Sequence, residues 1–525
     1  MGDRDAQLES IRTRLLDCPG VDDLAIVSYQ DPDATVGMVA YVVPALDEAA
    51  VDNELKDTWV QIYRELALDS DKSSNFDTSG WNSSFTGLPY PDVDMEEYVA
   101  TTADLMREDS PDTVLDVGCG TGMPLYRVAP DCRRYVGLDQ SGETIKNLRA
   151  GVDEANLTQV ELRVGEALDV CQFVGADFDL VACNSVSQHF PSVDYLAQFL
   201  NGALQAVNDS GRVIIGDVRD FSLETEFQSA VVLAQAHRAT PTSVLASRVG
   251  RRRVQARELM VDPRWFATLL RKVPDVTVEV RPRRGYCHNE TTTFHYDVIV
   301  RKTGDAEFVK LDRWLNWRND GLSLSKLSEM MRLGVPDFGV RGLPSARAQA
   351  SIAMTTKIFG ENFYGGDTVL SADLDGSALG IELEEVIKLA NQYGYDCHTS
   401  RINAHVAGAF DIALLRFSGK PASAMKQIPL FVDPDRLSLL DNPSSDPRRY
   451  HMMTIARSSL IPALRRYAAS FMQESERPTA YIVIPQVPRR DGELDRSALP
   501  KPQVGRPKAA RLKPEWWIPG DGQFS

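Results

Sequence analysis

Val114-Leu115-Asp116-Val117-Gly118-Cys119-Gly120-Thr121-Gly122 is the stretch on which the fold turns. A short apolar run closes on an acid, and three glycines follow at alternate positions. The run predicts a strand, and the glycines predict a turn whose backbone passes close to a ligand, because glycine has no Cβ and accepts positive φ. The phosphate-binding alternative asks for G-x-G-x-x-G opening a helix. Here the order is G-x-G-x-G behind an aspartate, which repels phosphate and suits a ligand with a cationic amino-acid portion. Working outward, helical patterns alternate with short apolar runs from Met95 to about Val300: 114–117, 135–138, 160–164, 178–183 and 212–217, then a pair at 276–281 and 294–300. That alternation predicts a doubly wound α/β sheet with helices on both faces.

The second run ends in Asp139-Gln140-Ser141, and an acid at that place accepts two ribose hydroxyls in doubly wound folds. The third is followed by Gly165-Glu166-Ala167, which offers a carboxylate to an adenine amino group. Asp116, Asp139 and Glu166 therefore stand at the C-terminal ends of three consecutive strands, where such sheets bind ligands. Any one of them has a helix cap or turn as its competing role. The three in order, with the glycines, predict S-adenosylmethionine as cofactor. Its expected contacts are Asp116, Gly118, Gly120, Gly122, Asp139, Gln140, Glu166 and Ala167, with Asn184 after the fourth strand. Trp81 and Phe85, in a polar turn-rich stretch at 73–91, are expected to close over it, since aromatic rings suit a sulfonium; plain packing is their competing role.

Composition bounds the rest. The 525 residues carry 57 Lys and Arg against 74 Asp and Glu, a net charge of −17, with 43% hydrophobic residues. An ordinary apolar content excludes general disorder, and the acidic excess disfavours nucleic acid or an anionic membrane as partner. The run Arg251-Arg252-Arg253 reads as a solvated helix end. No stretch has the roughly 18 apolar residues of a membrane span, and the N-terminus lacks the apolar core of a signal peptide. The 7 cysteines are scattered without CxxC, and the 7 histidines show no paired ligand spacing, so no metal site is expected. The expected location is the cytoplasm.

The longer pattern resembles the class I S-adenosylmethionine-dependent methyltransferase domains embedded in nonribosomal peptide synthetases. The resemblance spans about 55–420. It rests on Trp59-Val60-Gln61-Ile62-Tyr63, Gly80-Trp81-Asn82-Ser83-Ser84-Phe85-Thr86-Gly87, Cys183-Asn184-Ser185-Val186-Ser187-Gln188-His189-Phe190-Pro191 and Gly216-Asp217-Val218-Arg219. Further support comes from Glu258-Leu259-Met260-Val261-Asp262-Pro263, His288-Asn289-Glu290, Arg313-Trp314-Leu315-Asn316-Trp317-Arg318 and Gly339-Val340-Arg341-Gly342-Leu343-Pro344. The flanks resemble the small C-terminal subdomain of an adenylation domain, split in two. Gln7 to Pro44 gives a helix and a hairpin too small to fold alone; the resemblance implies that a strand near residue 482 completes it. Where that pattern carries a lysine serving adenylation this sequence has Glu493, and no adenylation core is present in the chain, so adenylation activity is not expected.

The resulting expectation is an α/β protein: a class I, Rossmann-like doubly wound sheet, an additional α/β subdomain, and a small α+β split adenylation-type subdomain. The expected divisions are 1–50 and 426–525 for the two halves of the last, 51–304 for the methyltransferase core and 305–425 for the accessory subdomain. Within 305–425 the aromatic spacing of Phe308, Leu311, Trp314, Leu315 and Trp317 predicts a helix. Arg313, Trp314, Trp317 and Arg318 would share one of its faces as a docking surface, and strands are expected at 366–372 and 410–417. Trp516-Trp517 are expected to pack on the scaffold.

Methyl transfer to an amine needs an unprotonated nucleophile in line with the donor and a group to take its proton. Gln188 and His189, after the fourth strand, and Asn289 and Glu290, before the last, are the candidates for the acceptor side. The resemblance implies transfer to the α-amino nitrogen of a substrate held by phosphopantetheine on a peptidyl carrier protein. A small-molecule amine, a free amino acid, a finished peptide, or a side-chain oxygen, carbon or sulfur remain open as acceptors. A non-catalytic docking subunit on a degenerate scaffold is the other class of reading, and a cofactor-binding titration separates it from an enzyme.

Overall fold

Apolar runs bounded by turn residues become strands in two separate units of the chain. The structure is a computed structural model describing residues 3–499, apart from 31–35, 46, 70–74, 238–239, 274, 303–305, 361–379, 404–406, 418–425, 433–439, 441–442, 485 and 491. The expected strand at 366–372, Trp516, Trp517 and the tail from 500 lie outside the described residues. The first unit comprises 1–56, 250–257 and 446–525; the second comprises 57–249 and 258–445. Among the described residues no helix is long and apolar enough to cross a membrane.

In the first unit, β1 (Val21–Gln30) and β2 (Val36–Pro44) form an antiparallel hairpin. The strand Ala480–Val483 adds to β2 in parallel, with Ala480 opposite Val39 and Val483 opposite Val42. One face of this three-stranded sheet packs Leu24, Ala40, Val42 and Tyr481 against Leu8, Ile11 and Leu15 of the N-terminal helix and Ile461 and Leu464 of a C-terminal one. That C-terminal helix runs Pro447–Ile455, widens to a π-turn over Ala456–Leu460 and resumes over Ile461–Ala469. Pro462 supplies the cause, because it cannot donate a backbone hydrogen bond inside a helix.

The second unit is built on seven strands: β3 (Thr113–Val117), β4 (Arg134–Asp139), β5 (Val160–Val164), β6 (Phe178–Asn184), β7 (Val207–Arg219), β8 (Val276–Pro282) and β9 (His295–Lys302). Their order is β5-β4-β3-β6-β7-β9-β8, parallel from β5 to β7, with β9 antiparallel to both β7 and β8. All five residues of β3 are buried, as expected of a central parallel strand covered on both faces. Leu115 and Val117 point into one apolar layer with Val181, Cys183, Phe199 and Ile215; Val114 points into the other with Tyr135, Leu180 and Ile214. The order of strands turns around between β3 and β6, so the C-terminal ends of β3, β4, β6 and β7 surround the crevice where ligands of such sheets bind.

An accessory sheet follows. β10 (Ala306–Val309) pairs in parallel with β15 (Lys426–Pro429), and β11 (Trp314–Asn316), β12 (Phe338–Pro344), β14 (Ala409–Arg416) and β13 (Tyr395–Ser400) form a four-stranded sheet in that order. The expected aromatic helix at 308–317 is therefore replaced by two strands. Large aromatics fit a pleated surface well. Trp314 lies opposite Gly339, where an added Cβ would come within 2.3 Å of the indole, so the glycine makes room for the ring over β12. Arg313, Trp314, Trp317 and Arg318 consequently share no helical face.

Candidate active site

The glycine turn after β3 is held open by its own conformation. Gly118, Gly120 and Gly122 have φ of 78°, 53° and 80°. A Cβ at Gly118 would lie 2.2 Å from the Val186 side chain and one at Gly122 would lie 2.4 Å from Leu148, whereas at Gly120 it would meet nothing closer than 3.9 Å. The turn is thus packed from behind at its two ends and open at its middle. Asp139 ends β4 beside it and anchors two backbones at once: its Oδ2 accepts from the Gly120 N–H (3.1 Å) and its Oδ1 from the Ser141 N–H (2.8 Å). Ser141 then caps the helix Gly142–Glu154 through the Thr144 N–H, which fixes the exit from β4. Burial raises the Asp139 carboxyl, and the two N–H groups oppose that rise. Gln140 and Ala167 stand partly exposed beyond β4 and β5.

Asp116 behaves differently from an open carboxylate. It is 4% exposed and accepts from the Tyr135 hydroxyl at 2.7 Å. Burial pushes its carboxyl up to about 6, although Tyr135 opposes the shift. The sign of the consequence follows by linkage. Below about pH 4 both the folded and unfolded states hold the proton. Between about 4 and 6 the folded state keeps a proton the unfolded state has lost, so stability falls as pH rises, by up to about 1.4 kcal/mol per pH unit. Above about 6 the cost is complete, on the order of 3 kcal/mol. Asp116→Asn is expected to flatten this part of the pH–stability curve, read from urea unfolding at several pH values; a variant with the wild-type slope would remove Asp116 from the account.

The remaining expected residues divide between the crevice and the scaffold around it. Glu166 is exposed, and its side chain closes a capping box with Asp169 at the start of the 3-10 segment Ala167–Phe173. Asn184 Nδ2 donates to the Tyr98 hydroxyl at 2.9 Å, while its Oδ1 is buried without a hydrogen-bond partner among the described residues. Trp81 packs on Tyr98 with ring centroids 4.7 Å apart. Phe85 lies elsewhere, with Phe227 and Phe294 at 6.2 and 6.4 Å. Both belong to the segment 75–91, which also accepts a hydrogen bond from Thr121 of the glycine turn through the Asp77 carbonyl (3.0 Å).

On the acceptor side, Gln188 is buried and ties its loop by donating to the Ser185 carbonyl and hydroxyl. His189 lies tilted against Trp59, with ring centroids 4.1 Å apart, and shares a 2.7 Å hydrogen bond with the Tyr63 hydroxyl through Nε2. Burial, then the charge of Arg219, push its imidazole down to about 3, so it is neutral at physiological pH. Asn289 caps the short helix Glu290–Phe294 and donates to Asp94. Glu290, 2% exposed, accepts from the Ser84 N–H (3.0 Å), the Ser84 hydroxyl (2.8 Å) and the Tyr90 hydroxyl (3.1 Å), and pairs with Arg219 (3.1 Å). Burial alone would raise its carboxyl; Arg219, His295 and Ser84 together hold it below the ordinary range. Arg219 also meets Glu258 at 2.9 Å.

One pair in this crevice escaped the reading of the sequence. His295 opens β9, and its Nδ1 lies 2.7 Å from Asp217 Oδ1. Asp217 lies in the Gly216-Asp217-Val218-Arg219 segment that carries the family resemblance, and nothing in the sequence pattern signalled His295.

A family model described as a methyltransferase domain matches residues 108–250, the segment that carries β3 to β7 and the glycine turn. The chain carries an S-adenosylmethionine-dependent methyltransferase domain. Along most of its length it is also similar to parts of nonribosomal peptide synthetases. It is 31% identical over 521 residues to the chondramide synthase cmdD of Chondromyces crocatus, covering 95% of this chain and 13% of that one. It is 28% identical to the probable non-canonical nonribosomal peptide synthetase CymA of Salinispora arenicola, covering 93% and 6%. It is 23% identical to the beauvericin nonribosomal cyclodepsipeptide synthetase of Beauveria bassiana, covering 98% and 17%. The chain thus spans less than a fifth of the length of these relatives.

The crevice of the methyltransferase domain fits its cofactor. The turn is open at Gly120, Asp139 keeps a lone pair on each oxygen beyond its two backbone donors, and Asn184 Oδ1 is a buried acceptor without a partner among the described residues. Asp139 and Asn184 would hold polar groups of the cofactor, with the glycine turn beneath it and Trp81 at its side. Bound there, S-adenosylmethionine supplies a methyl group already activated on a sulfonium.

Proposed function

We propose that the chain methylates the α-amino nitrogen of an aminoacyl or peptidyl unit tethered through phosphopantetheine to a peptidyl carrier protein. The observation that carries this reading is the place of the methyltransferase in the chain. Residues 57–249 and 258–445 interrupt a small unit whose sheet takes β1 and β2 from before the interruption and Ala480–Val483 from after it. That arrangement agrees with the resemblance to a split adenylation subdomain, in which domains inserted this late usually act on backbone nitrogen. The similarity to nonribosomal peptide synthetases over nearly the whole chain supports it.

The test is incubation with the cofactor and either an aminoacyl-loaded carrier protein or free amino acids, with the product fragmented by mass spectrometry. The expected methyl is on the α-nitrogen of the carrier-bound unit. A methyl on oxygen, carbon or sulfur would refute the chemistry; one on the nitrogen of a free small molecule would remove the carrier. Amino-acid-dependent ATP–pyrophosphate exchange is not expected of this chain, which has Glu493 at the lysine position; exchange above background would contradict that.

A further inference from the structure

The crevice contains a histidine built as a base and not yet given a task. His295 is 8% exposed, and its Nε2 is buried with no hydrogen-bond partner among the described residues. Its other nitrogen is held by Asp217, which is 1% exposed. A buried imidazole nitrogen left unpaired costs free energy on the order of 1–3 kcal/mol, so its retention calls for an explanation.

The backbone is shaped to make this pair. Asp217 sits where the register of β7 against β9 shifts, between Ile215 and Val218, and its φ is 61°. That left-handed conformation is strained for a residue with a side chain. Such bulges re-aim side chains beside active sites. Ser185, at the end of neighbouring β6, is also left-handed at 55°, and its N–H donates to the Gly216 carbonyl at 3.0 Å. Asp217 Oδ2 accepts from the Tyr98 hydroxyl at 3.2 Å, and that hydroxyl in turn accepts from Asn184. A hydrogen-bonded chain therefore runs from Asn184, on the cofactor side, through Tyr98 and Asp217 to His295.

Burial would raise the Asp217 carboxyl, but His295 and Arg283 bring it down to about 2. An ionised carboxylate only accepts, so the Asp217 contact places a ring hydrogen on His295 Nδ1, and in the one-hydrogen form of the ring Nε2 carries the lone pair. The charged groups around the ring are Asp217 with Arg283 beyond it, Glu290, and Arg219, which lies opposite His295 in the β7–β9 register. His189 and Glu290 are less able to serve: the former is bonded to Tyr63 and held neutral, the latter is engaged by Ser84, Tyr90 and Arg219.

We propose that His295 Nε2, oriented by Asp217, is the general base that takes the proton from the acceptor's ammonium and frees its lone pair for attack. The imidazolium so formed is stabilised by the Asp217 carboxylate and later returns the proton to water. This inference rests on the reading of the acceptor as an amine.

The test uses the full chain. His295→Ala is expected to bind S-adenosylmethionine within threefold of wild type by calorimetry. Its single-turnover methylation of an aminoacyl-loaded carrier is expected to fall at least about 100-fold, with partial recovery on adding imidazole. Turnover within threefold of wild type, or a loss of cofactor affinity as large as the loss of turnover, would overturn the proposal. A second readout needs neither substrate nor variant activity. In long-range 1H–15N spectra of histidine-labelled wild type at pH 7.5, His295, assigned by its loss in His295→Gln, is expected as the Nδ1–H tautomer. An Nε2–H tautomer or an imidazolium would overturn the proposal even if the protein methylates no amine, the outcome that would instead sink the proposed function.

Discussion

Glu290→Ala is expected to destabilise the methyltransferase unit by about 3–5 kcal/mol, the cost of breaking a buried ion pair. Its carboxylate is 2% exposed, and its partner Arg219 is left with Glu258 as its ion-pair partner among the described residues. The same change releases the Ser84 N–H, the Ser84 hydroxyl and the Tyr90 hydroxyl. All three belong to the segment 75–91, which also brings Trp81 to Tyr98 and Asp77 to Thr121. Cofactor affinity is therefore expected to fall along with turnover. Glu290→Gln keeps an acceptor for Ser84 and Tyr90 and is expected to lose less. Urea unfolding reads the stability, and hydrogen exchange reads the segment, which should lose protection in the alanine variant. A destabilisation under about 0.5 kcal/mol, or unchanged exchange at 75–91, would show that Glu290 does not anchor it.

Asp139→Ala is expected to weaken S-adenosylmethionine binding by about 2–3 kcal/mol, some 30- to 150-fold in Kd. Two effects combine. The carboxylate is expected to accept from two ribose hydroxyls, and it holds the Gly120 and Ser141 N–H groups that shape the turn and the following helix. Asp139→Asn is expected to be nearly as harmful, because each oxygen faces an N–H and an amide must set its NH2 against one of them. Calorimetry showing less than a threefold change in the alanine variant would sink the ribose assignment.

The parallel sheet was legible because a covered strand is a continuous apolar run, and the runs ended in acids and glycines whose conformational needs are visible residue by residue. The stretch 308–317 was not, since aromatic spacing of three and four residues fits a helix but also two short strands joined by a turn. What decided it was Gly339 making room for Trp314, a partner that is remote in sequence. Asn289 and Glu290 were read as facing the acceptor. The structure gives Asn289 to a helix cap and Glu290 to the segment 75–91, a division that depends on where residues some 200 positions away return. His295 was missed for the same reason. It acquires meaning from Asp217, 78 residues earlier, through a register shift between strands.

The third strand of the small sheet has a consequence for how the chain is made. The Thr479 hydroxyl and the Met38 carbonyl it bonds are 441 residues apart. At about 5–20 residues per second of synthesis, the β1–β2 hairpin waits about 20–90 s on the ribosome before its partner strand exists. During that interval the β2 edge, with Val39 and Val42 registered for Ala480 and Val483, is an open template for any passing strand. Trigger-type chaperones that hold nascent edges should therefore raise the yield of this chain. A circular permutant that places 475–499 directly before the hairpin should fold its first unit early and depend on them less.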